Sequence, residues 1–112
     1  PPPYSTQITA IWGSGPNDVW LTGNSGYTAH FDGTRWAAVL TGESEGLSGI
    51  AGSSASEVYA IGDSTGFVLR YDGKGWSRTD GPRLHWDGLF SITQVAGTYI
   101  AVGDDGVIQS WR

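Results

Sequence analysis

The sequence contains three copies of one pattern, spaced roughly 40 residues apart. Asp18–Gly23 (DVWLTG) returns as Glu57–Gly62 (EVYAIG) and, more weakly, as 99–103 (YIAVG). The stretch 26–36 likewise returns as 66–76, with an aromatic-Asp-Gly triplet and a closing tryptophan in both copies. Self-similarity at a fixed period marks an array of equivalent structural units, so the repeat decides the fold class.

Each unit is predicted to contain short β-strands, because its side chains alternate with a period of two and no helical stripe occurs. Asp32-Gly33 and Asp72-Gly73 lie between strand runs, where aspartate and glycine favour tight turns. The predicted first strands are 8–13, 47–52 and 89–94; the second 18–23, 57–62 and 99–103; the third 26–32, 66–72 and 106–111; the fourth 35–40 and 75–80.

A four-stranded antiparallel unit that repeats at this spacing is a β-propeller blade. The predicted fold class is therefore all-β, with about 2.75 blades in the chain. The predicted divisions are a linker or partial outer strand (1–7), blade 1 (8–46), blade 2 (47–88) and an incomplete blade 3 (89–112).

The motif at 12–20 (WGSGPNDVW), followed by FDGTRW at 31–36, resembles the propeller repeats of predicted exported bacterial proteins. The resemblance covers 8–111. It implies a soluble bacterial propeller that is secreted or displayed at the cell surface. It does not name a ligand, because propellers host many functions.

Three blades do not close a ring, since propellers have roughly 4–8 blades. Either the chain is part of a longer propeller, or several copies associate, with a dimer of six blades favoured. Pro1–Gln7 is the candidate strand donor, although its prolines allow edge pairing at best. The missing initiator Met predicts a processed or excised piece.

Composition argues against several classes of function. The formal net charge is −5 with few basic residues, which disfavours nucleic-acid binding. The sequence contains no cysteine, and no apolar stretch approaches the roughly 18 residues of a membrane span. No catalytic motif occurs around His30, His85 or elsewhere, so we predict neither an enzyme nor a bound metal or cofactor.

Successive strands of a blade run in opposite directions. The turns between second and third strands therefore lie at the same end of the ring as the connectors between blades. That end is predicted to be acidic, which serves solubility or attracts a cationic partner. Its carboxylates are Glu43, Glu45, Asp63, Asp80, Asp87, Asp104 and Asp105.

Most aromatic residues recur at equivalent positions, which favours packing between blades over ligand binding. Trp20 corresponds to Tyr59, and Trp36 corresponds to Trp76. Trp86 has no counterpart, and Arg83, His85 and Asp87 flank it in an extended connector. This group suits a sugar ring or a peptide, or else Trp86 covers a blade edge.

Three functions remain open. The first is a non-enzymatic propeller module that assembles into a ring and presents loops to a partner. The second is a lectin, because 72–76 (DGKGW) is similar to a stretch of fucose-binding propeller lectins. The third is a purely structural or engineered propeller fragment.

Overall fold

Strands make up almost all of the regular structure in the computed structural model, which describes residues 7–62, 67–79, 89–103, 106 and 108–111. A single turn of 3₁₀-helix (Asn24–Gly26) also occurs in this part of the chain. The strands are β1 (Ile8–Gly15), β2 (Asp18–Gly23), β3 (Thr28–Phe31), β4 (Trp36–Ala38), β5 (Leu47–Ser54), β6 (Glu57–Gly62), β7 (Val68–Tyr71), β8 (Trp76–Arg78), β9 (Leu89–Val95), β10 (Thr98–Gly103) and β11 (Ile108–Trp111).

These strands form three antiparallel sheets, each of which follows chain order. The sheets are β1-β2-β3-β4, β5-β6-β7-β8 and β9-β10-β11, hereafter blades 1, 2 and 3. The predicted fold class of partial propeller blades is confirmed. The third strand of blade 1 starts later than predicted because Ser25 and Gly26 have φ of 59° and 72°, which no strand accommodates. Of the predicted N-terminal segment 1–7, only Gln7 belongs to the described residues.

The contact between blades 1 and 2 is centred on Trp20. This side chain is 1% exposed and packs with Ile50 and Val58 of blade 2. Its ring centroid lies 4.7 Å from that of Tyr71 and 5.3 Å from that of Trp76, both in edge-on geometry. Such aromatic pairs add to the free energy of burial, so Trp20 ties the two sheets together.

Tyr59 occupies the matching position between blades 2 and 3. Its ring centroid lies 4.5 Å from that of Tyr99 and 5.5 Å from that of Trp111. Ile92 packs against the same cluster, as Ile50 does against Trp20. Blades 1 and 2 thus each insert an aromatic ring from the second strand into a surface formed by the next blade.

Each of the two contacts between blades also contains a hydrogen bond from a side-chain hydroxyl. The Thr9 hydroxyl donates to the Leu47 carbonyl oxygen of blade 2, and the Ser48 hydroxyl donates to the Leu89 carbonyl oxygen of blade 3. Thr9 and Ser48 are equivalent in the repeat. The two contacts between blades are therefore built in the same way.

The outer hairpins close through an aspartate that binds backbone N–H groups. Asp32 Oδ1 accepts from the amides of Thr34 (2.9 Å) and Arg35 (3.0 Å). Glycine follows the aspartate because φ is 101° at Gly33, which strains other residues.

Asp72 closes the second hairpin in the same way. Its Oδ1 accepts from the amides of Lys74 (2.8 Å) and Gly75 (3.1 Å). In both turns the backbone hydrogen bonds stabilise the ionised carboxylate and lower the pKa of the aspartate.

Replacing Trp20 by alanine is expected to reduce the free energy of unfolding by about 3–5 kcal/mol, because a large ring is removed from a closed site between two sheets. Leu40→Ala is the control, since Leu40 is 90% exposed and its loss should change stability by less than about 0.5 kcal/mol. Urea unfolding at one fixed protein concentration measures both. Equal losses of unfolding free energy in the two variants would contradict the role of Trp20 in joining blades 1 and 2.

The turn aspartates are expected to make stability fall with acid. Their pKa values in the folded chain lie below the ordinary 3.8, so their contribution to the free energy of unfolding is fully present above that pH. It is lost as the pH falls through 3.8 towards the folded pKa. The variant Asp32→Asn with Asp72→Asn keeps both acceptor oxygens without titrating. Its urea midpoint should fall less than that of the unaltered chain between about pH 5 and about pH 3. If the urea midpoints of both proteins fell equally with acid, Asp32 and Asp72 would not be the source of the acid sensitivity.

Candidate functional site

A groove of about 380 Å³ opens at one end of blade 1. One wall is the turn between β2 and β3 (24–28), and the other is the connector that leaves β4 (38–43). The turn and the connector lie together, as strand parity predicts. We call this the connector groove.

Close backbone packing shapes the floor of the connector groove. A Cβ atom on Gly26 would lie 2.1 Å from the carbonyl oxygen of Glu43, so only glycine fits there. The buried Thr41 hydroxyl donates to the Gly26 carbonyl oxygen (2.8 Å) and accepts from the Glu43 amide (3.1 Å). These contacts fix the turn to the connector.

Glu43 carries the charge at the connector groove, and Arg78 of blade 2 neutralises it. The Arg78 guanidinium donates Nε to one carboxylate oxygen (3.0 Å) and Nη2 to the other (2.8 Å). It also lies 4.4 Å from the centroid of the Phe67 ring. The hydrogen bonds from Arg78 hold the pKa of Glu43 below its ordinary value. The pair therefore supplies rigidity rather than attraction for a cation.

Apolar side chains line the rim and interior of the connector groove. Leu40 stands at the rim with 90% of its surface exposed. Its neighbour Val39 packs inward against the cluster around Trp20. The groove thus lies directly over the contact between blades 1 and 2.

The Asp18 carboxylate is the centre of a small polar cluster. Ser14 donates its hydroxyl to Asp18 Oδ2 (2.5 Å), and His30 Nε2 lies 2.7 Å from Asp18 Oδ1. The His30 ring lies 4.6 Å from that of Trp20. The cluster joins β1, β2 and β3, which hold Ser14, Asp18 and His30 respectively.

The residues predicted to bind a ligand, Arg83, His85, Trp86 and Asp87, lie outside the described residues, so that site stays a prediction. Of the predicted acidic rim, the structure describes only Glu43 and Glu45. Within the described ranges, no three His, Asp or Glu side chains are grouped as metal ligands. No helix there is long and apolar enough to cross a membrane.

Two blade faces have no neighbour in the described chain. On blade 1, Ile8 is 39% and Ile11 is 65% exposed, on the side that faces away from blade 2. On blade 3, Phe90 is 55%, Val95 57% and Ile108 64% exposed. Repeat equivalence and strand alternation define these surfaces. We call them the open face of blade 1 (Ile8, Ile11, Val19, Phe31, Trp36) and the open face of blade 3 (Phe90, Val95, Ile100, Val102, Ile108).

Comparison with known proteins supports the architecture. No protein-family model and no curated protein matches the chain. Among solved structures, YCF48 from Cyanidioschyzon merolae has a TM-score of 0.77 at 23% identity, over 98% of this chain and 38% of that one. YCF48 bound to D1 peptide has a TM-score of 0.76 at 19% identity, over 98% of this chain and 39% of that one.

The chain thus spans 38–39% of the length of these two structures. At these sequence identities the likeness concerns the fold. The three sheets of this chain have the fold of part of a β-propeller.

Proposed function

We propose that the chain is a non-enzymatic β-propeller module that binds an extended segment of a protein partner in the connector groove. The ring to which this module belongs is completed by a second copy. The observation that carries the proposal is a groove whose turn and connector are joined by hydrogen bonds of Thr41, with the exposed apolar Leu40 at its rim.

The chemistry of the connector groove favours a peptide. Its volume of about 380 Å³ accommodates a few side chains. The charge of Glu43 is neutralised by Arg78, so the groove does not select a charged ligand. β4 is the edge strand of its sheet and continues into the groove wall, where an extended chain finds backbone groups to bind. The solved structure of YCF48 bound to D1 peptide supports peptide binding by a propeller of this fold.

The segment with Arg83, His85, Trp86 and Asp87 is proposed as a second contact for the partner. It follows β8 as the connector groove segment follows β4, and both segments lead to the first strand of the next blade. Repeat equivalence therefore supports a position at the same end of the ring. Secretion or display at the cell surface is likewise proposed from the resemblance to exported bacterial propellers.

A lectin would need sugar-binding residues outside 72–76, the stretch that is similar to fucose-binding propeller lectins. The Asp72 carboxylate accepts hydrogen bonds from two turn amides, and Trp76 packs in the cluster between blades. A sugar site would thus rest on 83–87. A purely structural or engineered fragment remains the third hypothesis, and it predicts no ligand at all.

Selection from a phage-displayed library of random peptides tests the proposed function. Peptides selected by the unaltered chain should bind Leu40→Asp at least about tenfold more weakly, because burying one leucine contributes about 1.5–3 kcal/mol. Ser44→Asp is the matched control, since it adds the same charge at an exposed position of the same connector outside the groove.

Peptides that bind both aspartate variants equally well would contradict the connector groove as the binding site. Failure to select any peptide, together with specific hits on a glycan array, would favour the lectin. No hits in either experiment would favour the structural fragment.

A further inference from the structure

We propose that the partner segment adds to blade 1 as a fifth β-strand on the outer edge of β4, and that its paired part is apolar and free of acidic residues. This inference rests on the proposed function and deepens it, because it states how the segment is held and what its chemistry is. Neighbouring blades contact the broad faces of a sheet rather than its outer edge. The accessibility of this edge therefore does not depend on which blades flank the three described here.

The backbone of β4 presents hydrogen-bonding groups on the side away from β3. Both backbone groups of Val39 face β3, because its amide donates to the Thr28 carbonyl oxygen (2.9 Å) and its carbonyl oxygen accepts from the Thr28 hydroxyl (2.6 Å). In an antiparallel pair, residues that bond to the partner strand alternate with residues whose groups face away from it. The N–H and C=O groups of Trp36 and Ala38 therefore point outward, and the described part of the chain places no further strand there.

Side-chain chemistry distinguishes β4 from β8, the outer strand of blade 2. Exposed edge strands are commonly protected from pairing by charged side chains. The repeat positions of Ala38 and Leu40 carry Arg78 and Asp80 in blade 2. In blade 1 the stretch 36–42 (WAAVLTG) has no charged residue, and both alanines of β4 are exposed. The edge of β4 thus lacks the protection that the equivalent edge of blade 2 has.

The edge of β4 leads into the connector groove and is continuous with the contact between blades 1 and 2. Ala38 belongs both to β4 and to the groove lining. Val39 packs against the cluster that contains Trp20, whereas Leu40 beside it is 90% exposed. A segment paired with β4 would therefore place an apolar side chain on Leu40 and extend the apolar contact between the blades outward.

Charge complementarity favours an apolar segment over an acidic one. The carboxylate in the groove lining, Glu43, is already bound by Arg78, so an uncharged segment meets no unpaired charge from this pair. The chain has a formal net charge of −5, which repels acidic segments.

The length of the edge favours a separate segment over a second copy of the chain. The outer strands β4 and β8 have three residues each, so a second copy that used either of them would offer a short partner. A separate extended segment can follow the edge from Trp36 through Leu40. A second copy that completes the ring would contact the broad faces and leave this edge accessible.

Ala38→Pro tests the pairing while leaving the other side chains of the groove in place. Proline removes the outward N–H group of residue 38, which β3 does not use, and proline is tolerated on edge strands in this orientation. The peptides selected from the phage-displayed library should bind this variant at least about fivefold more weakly than the unaltered chain. Ala38→Val keeps the N–H group and is the matched control, so it should bind within about twofold of the unaltered chain. Circular dichroism and urea unfolding show whether each variant retains the fold.

Methylation of the peptide backbone tests the pairing on the unaltered chain. Each N–H group of a selected peptide is replaced in turn by an N-methyl group. Only every second N–H group of an added strand faces β4, so binding should weaken at alternate positions and change little at the positions between them. A peptide held by its side chains alone has no reason to show this period of two.

Several results would overturn the inference. These are a folded Ala38→Pro variant that binds the peptides as tightly as the unaltered chain, methylation effects without a period of two, and selected peptides rich in acidic residues. A dimer of the unaltered chain that Ala38→Pro converts to a monomer, measured by light scattering, would assign the edge to a second copy instead.

The same peptides separate this inference from the proposed function. Peptides that need Leu40 but tolerate Ala38→Pro contradict the strand pairing alone. Peptides that need the outward N–H group of Ala38 but bind Leu40→Asp normally contradict the connector groove alone. Failure to select any peptide contradicts both.

Discussion

The packing of one aromatic ring onto the next sheet is the interaction on which the whole chain depends. A four-stranded sheet of this size has two apolar faces, and neither is stable in water alone. Trp20 covers one face of blade 2, and Tyr59 extends the same contact to blade 3. Because the contact is directional, blade 2 receives the Trp20 ring on one face and supplies the Tyr59 ring from the other.

This constraint also determines where a partner can bind. Where two blades meet, their broad sheet faces are occupied by each other, so the ends of the strands are what remains accessible there. At one end, the connector between blades 1 and 2 packs inward through its own residue Val39. Hydrogen bonds of Thr41 and the ion pair of Glu43 with Arg78 hold the connector in place. A loop that must bridge two sheets thereby becomes a rigid groove wall. The ion pair links the connector to the outer strand of blade 2, and thus couples the groove to blade 2.

Much of the architecture could be predicted because its signals are local. Period-two alternation and the Asp-Gly turns predicted the second strands at 18–23 and 57–62, which the structure reproduces. The connector groove could not be predicted, since it depends on the approach of Gly26 to Glu43, 17 positions along the chain, and on positive φ at Ser25. The hydroxyl links of Thr9 and Ser48 were missed for the same reason, although their equivalence in the repeat was a usable signal. The predicted site around Trp86 lies outside the described residues and stays a prediction.

The central claim is that the Trp20 ring joins blades 1 and 2, and a double-mutant cycle tests it directly. Trp20→Ala and Tyr71→Ala each remove one ring of a pair whose centroids lie 4.7 Å apart. Urea unfolding of the unaltered chain, the two single variants and the double variant, at one fixed protein concentration, should give a coupling free energy of about 0.5–1.5 kcal/mol. Strictly additive losses of unfolding free energy would contradict the account.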